Sequence, residues 1–257
     1  ILSRGMIGVG PENERALDES TALYTRWHNQ ADGRIKCMLG PHAPYTCPPE
    51  YLKRVINLAG ELGIGIHIHL AETRGEFEDI QKQYGKTPVQ LMQDTGLFTQ
   101  PTLAAHCVHL TSEDIDILAA NNVGVAHNPE SNMKLASGIA PVPEMLQKGI
   151  PVALGTDGAS SNNNLDMLQE MRTCALLHKV NTMNPTVLPA YQALEMATIN
   201  GAKALGLDNE LGQLKAGLKA DMIIMNLDQP HMIPRYDILA NIVYSGQASD
   251  VDTVIID

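Results

Sequence analysis

The sequence has few of the residues that mark a secreted, membrane-bound or nucleic-acid-binding protein. It has four cysteines (Cys37, Cys47, Cys107 and Cys174), with no C-x-x-C pair and no close spacing. That argues against a disulfide framework and a cysteine-rich zinc cage, and reads as buried, reduced thiols of a cytoplasmic protein. No apolar run reaches the length of a bilayer span, and no signal-peptide pattern is read at the start, so no membrane partner is expected. Basic residues are scarce: 18 Lys and Arg stand against 29 Asp and Glu, for a net charge of −11. Gripping phosphates needs clustered cations, so nucleic acid is excluded as a partner. Neither a G-x-G-x-x-G nor a G-x-x-x-x-G-K-[ST] loop occurs, which leaves nucleotide-phosphate chemistry without support. Internal repeats and low-complexity tracts are absent as well.

What is present suits a soluble α/β protein. The 257 residues, 44% of them apolar, are enough for one large domain or a domain and a half. Strand patterns fall at Arg34–Leu39, Ile64–Leu70, Thr102–Ala105, Val123–Ala126 and Val152–Leu154. Between them lie helical patterns: through Trp27, from Pro48-Pro49-Glu50 to about Leu62, and at Gly75–Tyr84, Pro88–Asp94, Ser112–Ala120 and Val142–Lys148. A long amphipathic helix is expected over Leu165–Lys179 and one or two more in Ala190–Leu205. Met6–Glu14 reads as a Gly/Pro/Asn loop, and Pro41 and Pro44 should end the strand before them. Alternating strands and helices mean a parallel sheet, open or closed. From Asp221 only short strands are read (Met222–Asn226, Ile242–Tyr244, Val251–Ile256). The expectation is therefore an α/β part over residues 1–207 and a small β appendage over 208–257.

Chemically capable residues recur where strands end: His42, His69 with Glu72, His106, His127-Asn128 and Asp157. Several such ends in succession fit a barrel with its site on the C-terminal face. His67 and His69 alternate with isoleucines, so they share one strand face. His69 lies nearer the strand end and is the better ligand candidate, whereas His67 reads as a hydrogen-bonded core histidine. Glu72 is either a solvated rim carboxylate or a proton donor beside a bound base. Asp157, in GTDGASS, is either a turn aspartate or a metal ligand. Cys107 should point away from the face of His106. His28, His109, His178 and His231 read as structural. Imidazole and carboxylate donors from separate strands suit zinc or a similar divalent ion in an open site.

The stretches HIHLAET (67–73), AAHCVHL (104–110), HNPESNMKLASGIAPV (127–142) and LGTDGASSNNNLDM (154–167) resemble the amidohydrolase superfamily. Within it they are most similar to deaminases of 5-methylthioadenosine and S-adenosylhomocysteine. GPHAPYTCP (40–48) and LGQLKAGLKADMIIMNLD (211–228) fit the same branch. The resemblance implies a TIM-like (β/α)8 barrel, with roughly strands four to eight present and part of a small β-sandwich after it. It implies one divalent metal ion, usually Zn2+, with His69 and Asp157 among the ligands. It makes Glu72, His106 and Asp157 catalytic, and places His42, Glu72, Asp157, Arg4 and Arg15 against a small-molecule nucleoside. Arg4 and Arg15 would meet the polar tail of that substrate; taken alone they are ordinary surface arginines. The implied reaction is attack of activated water on C6 of adenine, with a proton from Glu72 to N1, giving an inosine derivative and ammonia.

The resemblance also implies a first-strand H-x-H that supplies two further ligands, and no such motif lies before His67. The first residue is Ile and the last strand pattern runs to the terminus, so the sequence reads as a fragment, expected to bind metal weakly and to be inactive alone. Rival readings are a guanine deaminase, a triazine hydrolase or a non-catalytic barrel scaffold. Self-association is left open.

Overall fold

The computed structural model describes residues 1–10 and 13–257. Pro11 and Glu12, in the expected Met6–Glu14 loop, lie outside the described residues. The chain divides into two compact units, Ile1–Val123 and Gly124–Asp257, so the appendage expected from residue 208 falls inside the second.

The first unit is organised by parallel pairing. Leu2 bridges Cys37, and β1 (Gly5–Met6) continues in the same register against β2 (Gly40–Pro41). α1 (Asn13–Trp27) lies between the two strands in sequence and α2 (Pro49–Leu62) follows them. Pro41 was expected to end pairing, and it does not. The next donor, His42 N–H, reaches the Met6 carbonyl at 2.8 Å, so the missing proline N–H is bypassed. On the other side Leu39 bridges Ile66 at the start of β3 (Ile66–Leu70). β3 pairs in parallel with β4 (Thr102–His106), which sets Leu70 opposite His106. Ile66, Ile68 and Leu70 are buried while His67 and His69 are half-buried, as a period of two requires. Leu52, Val55, Ile56 and Ala59 of α2 are buried as well. Each side chain of this kind that leaves water contributes roughly 1.5–3 kcal/mol.

Three helices of this unit, α3 (Arg74–Tyr84), α4 (Pro88–Thr95) and α5 (Ser112–Ala120), begin on threonine caps: Thr73, Thr87 and Thr111. Each cap accepts the N–H three residues on and so satisfies a donor the helix cannot. α2 and α3 stop at Gly63 and Gly85 in the left-handed conformation that glycine adopts without penalty.

In the second unit β5 (Gly124–His127) pairs in parallel with β6 (Val152–Leu154), with His127 opposite Leu154. α6 (Pro129–Lys134) and α7 (Val142–Gln147) connect them. α6 was not foreseen, although Pro129 at its first turn is a favourable start. α8 (Ala159–Asn162), α9 (Met167–Thr182), α10 (Ala190–Ala197) and α11 (Ile199–Ala204) follow. α9 buries Leu168, Met171, Cys174, Ala175 and His178, so its apolar stripe is core, while Leu176 and Val180 are exposed. β7 (Met222–Met225) pairs antiparallel with β8 (Val251–Ile255).

One expected strand is a helix. Ile242–Tyr244 lies in α12 (Ile238–Ser245), which packs on α9 and α10. The Asp237 side chain accepts the Ala240 N–H at 3.1 Å and caps it, and Val243 is buried. The short run Ile242-Val243-Tyr244 fits a strand by itself, whereas Asp237, five residues before Ile242, marks a helix start. Among the described residues no helix is long and apolar enough to cross a membrane. All four cysteines are free and buried.

Candidate functional site

The first unit assembles three imidazoles and a carboxylate. β3 delivers His69 on its half-buried face, β4 ends at buried His106, and His42 follows β2. The rings form a row, with centroids 4.9 Å apart for His42–His69 and 5.4 Å for His69–His106. Glu72 brings Oε2 to 3.7 Å from His106 Nε2. That is longer than a hydrogen bond, and catalytic contacts are often loose without substrate.

The histidines differ in what holds them. His69 Nδ1 lies 2.7 Å from the His42 carbonyl, an acceptor only, so Nδ1 carries a hydrogen and in the neutral ring Nε2 holds the lone pair. A carbonyl that fixes the tautomer in this way is what a metal-binding imidazole requires. His42 Nδ1 is 2.9 Å from the Thr46 hydroxyl, and its ring meets Tyr45 edge-on. Burial, and then the neighbouring His69, lower the His42 pKa below its ordinary value. Residue 42 is therefore biased toward a neutral imidazole. Cys107 is buried and its thiol is pushed up by that burial, so a nucleophile reading finds no support.

The loop that carries Glu72 is held from below. Glu76, only 4% exposed, accepts the N–H of Ala71 at 3.0 Å and of Glu72 at 2.8 Å. Burial nonetheless raises the Glu76 pKa to about 7, because desolvation outweighs the backbone donors.

The second unit positions Asp157 after β6. Gly155 leaves β6 with its N–H on the His127 carbonyl, and a Cβ there would meet Asn128 Oδ1 at 2.4 Å, so a larger residue would have to displace the Asn128 side chain. Asp157 has a φ of +58°, uncommon for a residue with a side chain. Its Oδ2 accepts the Ser131 and Ser161 hydroxyls, each at 2.7 Å. Asn162 donates to the Thr156 carbonyl at 2.8 Å and to Oε1 of buried Glu170 at 2.5 Å. Glu170 Oε2 takes the Glu130 N–H at 3.2 Å, and burial raises its pKa to about 7.

The structure thus gathers His42, His69, Glu72 and His106 within the first unit and carries Asp157 in the second. Arg4 and Arg15 converge instead on one carboxylate, Glu19: Arg4 pairs with it directly and Arg15 Nε lies 3.3 Å away. Sequence reasoning passed over Thr46, Glu76, Ser131 and Glu170, while Ser161 and Asn162 were read as part of a helix entry able to orient His106 or the water. For Glu76 a signal existed, the T-x-x-E of a capping box at 73–76.

His178, read as structural, forms a second grouping with His127 and Cys174, whose ligand atoms lie within 4.8 Å of one another. His178 Nε2 is 3.3 Å from His127 Nε2. Burial lowers the His178 pKa to about 4 and raises that of the Cys174 thiol, so both are uncharged at neutral pH. An apolar cavity of about 700 Å³, lined by Leu168, Met171, Leu194, Ile223 and Ile242 among others, also lies in this unit. Its only ionisable lining residue, Asp166, is committed to capping α9.

The 5-methylthioadenosine/S-adenosylhomocysteine deaminase of Syntrophomonas wolfei is 70% identical over all of this chain, which covers 60% of that protein. The corresponding protein of Pelotomaculum thermopropionicum is 60% identical over 99% of the chain and 59% of its own length. The chain thus spans about 60% of the length of the curated relatives it matches. Among solved structures, an adenosine deaminase from Xanthomonas campestris with bound zinc superposes over 100% of the chain and 59% of its own, at TM-score 0.95 and 33% identity. A guanine deaminase from E. coli covers 98% of the chain and 61% of its own, at TM-score 0.86 and 26% identity. The fold is accordingly α/β and that of a partial amidohydrolase (β/α) barrel. The profile of the amidohydrolase family matches residues 3–257. The chain belongs to the amidohydrolase family.

Proposed function

We propose that the protein carrying this chain is a metal-dependent hydrolase that deaminates adenosine-type nucleosides, 5-methylthioadenosine or S-adenosylhomocysteine, to the inosine derivative and ammonia. The observation that carries the reading is the row His42–His69–His106 with Glu72 beside His106 Nε2. The names of the curated relatives support the substrate class, and the zinc-containing solved relative supports zinc. His69, with Nε2 presented as a lone pair, and Asp157, with a hydroxyl-oriented carboxylate, are our ligand assignments. When bound, the ion supplies water activation at neutral pH.

The chain's own groups do the rest. His106 and Asp157 orient and accept the water proton. Glu72 donates a proton to N1 of the adenine ring as charge develops there, which stabilises the tetrahedral species, and a further proton transfer releases ammonia. His42, biased toward a neutral imidazole by burial and by His69, offers a hydrogen bond to the base. Arg4 and Arg15 remain assigned to the substrate tail. Both already meet a carboxylate, that of Glu19, whose place a substrate carboxylate would take. We assign residues 1–207 to the barrel and 208–257 to part of a β-sandwich, supported by exposed Ile223, Ile224 and Val254 on β7 and β8. Four free, buried cysteines support a cytoplasmic setting.

The test is ammonia release by the full-length protein with added Zn2+, on 5-methylthioadenosine, S-adenosylhomocysteine, guanine and a chloro-triazine side by side. Turnover of the first two is expected. Turnover of guanine or the triazine alone overturns the nucleoside reading in favour of a guanine deaminase, a fold this chain also resembles, or a triazine hydrolase.

A further inference from the structure

Thr73–Glu76, Thr87–Gln90 and Thr111–Asp114 share one helix-start spelling: a threonine cap and, three residues on, a side chain able to return to the cap. In two of them the return is made. Gln90 Oε1 accepts the Thr87 N–H at 3.0 Å, and Asp114 Oδ2 accepts the Thr111 N–H at 2.9 Å. At α3 only half the box forms. Thr73 Oγ1 accepts the Glu76 N–H at 3.1 Å, but the Glu76 carboxylate passes the cap and takes the N–H groups of Ala71 and Glu72 instead. A local cap does not need that reach.

The peptide it seizes is a junction. Ala71 has a φ of +52°, and its carbonyl accepts the N–H of Val108 at 3.0 Å and of His109 at 2.9 Å. The Leu70 carbonyl accepts the Cys107 N–H at 3.0 Å. On the β4 side His106 and Cys107 also have positive φ, 71° and 50°. Three left-handed residues with side chains persist only where their surroundings over-determine them. Here the loop after β3 is stitched to the loop after β4 through Ala71, and Glu76 grips Ala71 from the other side. Glu72, in the loop after β3, and His106, the last residue of β4, stand 3.7 Å apart across this junction.

We propose that Glu76 is a positioning residue that sets Glu72 against His106 by clamping the Ala71–Glu72 backbone. The catalytic meaning of that separation rests on the deaminase reading; the clamp itself does not. Each of its oxygens takes one of two consecutive donors, so a carboxylate is required where an amide would offer one acceptor and present an NH2 to the other donor. Glu76 is assigned no contact with substrate or metal; it acts through Glu72. Misplacing a catalytic group by about an ångström costs on the order of 10²-fold in rate.

The test compares Glu76→Gln with Gln90→Ala in the full-length zinc-loaded protein. Gln90→Ala removes an ordinary return cap on α4 and reports the effect of capping alone. Amide hydrogen exchange at Ala71 and Glu72 should rise at least tenfold in Glu76→Gln, with smaller rises at Val108 and His109, and stay unchanged in Gln90→Ala. Nucleoside turnover in Glu76→Gln should fall about 10–100-fold in kcat with KM within about twofold, whereas Gln90→Ala keeps both. Glu76→Asp, which keeps the charge, should recover part of the kcat, and it gives the same readings should Glu76→Gln fail to fold. Unchanged exchange at Ala71 and Glu72 in both Glu76 variants overturns the clamp. Faster exchange with wild-type kcat overturns the positioning role. If the wild-type protein deaminates no nucleoside, the deaminase reading fails, and exchange at residues 71 and 72 still decides the clamp.

Discussion

The two units anchor their candidate carboxylates in opposite ways. In the first, the backbone of Glu72 is clamped by buried Glu76, and its side chain is left facing His106. In the second, the side chain of Asp157 is itself held by Ser131 and Ser161, and its backbone is steadied at one remove through Asn162 and buried Glu170. The difference matches the two tasks proposed. A group that gives up and regains a proton needs a fixed base and a free tip. A ligand that must keep one geometry is better gripped at the tip.

The largest expected effect breaks the second unit's half. Asp157→Asn in the full-length protein should lower turnover by about 10⁴-fold, the upper end for a proton-transfer group, and zinc content measured on the purified protein should fall with it. Persistent deamination would restore the reading of Asp157 as a turn aspartate and of the barrel as a scaffold. Glu72→Gln should lower turnover by about 10²–10⁴-fold while zinc content stays unchanged, because the free tip is no ligand. Equal zinc loss in both variants would erase the contrast between the two carboxylates.

Ser131→Ala and Ser161→Ala sharpen the contrast at smaller cost. Each removes one hydroxyl from Asp157 Oδ2, and each should lower kcat by about tenfold, the equivalent of one hydrogen bond to a charged group. The double variant should exceed either single one, and the pair can be separated by a double-mutant cycle on kcat and zinc affinity.

The smallest effect is on stability, and its sign differs between groups. The Glu76 pKa is raised from 4.5 to about 7, so the folded state holds its proton more tightly than the unfolded chain. That contribution is full below pH 4.5 and is lost as pH rises through about 7, on the order of 3 kcal/mol at most. The His178 pKa is lowered from 6.5 to about 4, so its contribution is full above pH 6.5 and is lost as pH falls toward 4, by a similar amount. Denaturant unfolding between pH 4 and 8 should therefore show a flatter alkaline limb in Glu76→Gln and a flatter acid limb in His178→Asn. Parallel curves for variant and wild type would contradict the burial of these groups.

Much of this arrangement was legible from short stretches. Ile66–Leu70 announced two histidines on one face because strand side chains alternate, and the structure buries Ile66, Ile68 and Leu70 on the other. Ser112–Ala120 was read to its ends from its local helical pattern, and the structure adds the Thr111 cap just before it. Ile242–Tyr244 failed for the converse reason: a short β-branched run is ambiguous, and contact with α9 and α10 decided for helix. Arg4 and Arg15 carried no local sign of a shared carboxylate, and their meeting on Glu19 emerged only when α1 was set beside β1.

The sequence by itself determined the alternation of strands and helices, the strand ends on which His69, His106 and Asp157 sit, and the threonine caps. These depend on residues within a turn or a strand of each other, where backbone geometry leaves few choices. Only the tertiary structure decided what holds those residues. Ser131 reaches Asp157 across 26 positions and Glu170 reaches the Glu130 N–H across 40, while Glu76 turns from the nearby cap to the Ala71 and Glu72 N–H groups. A buried carboxylate takes whichever donors the packed chain brings within 3 Å, because leaving it unpaired away from water costs more than any local preference.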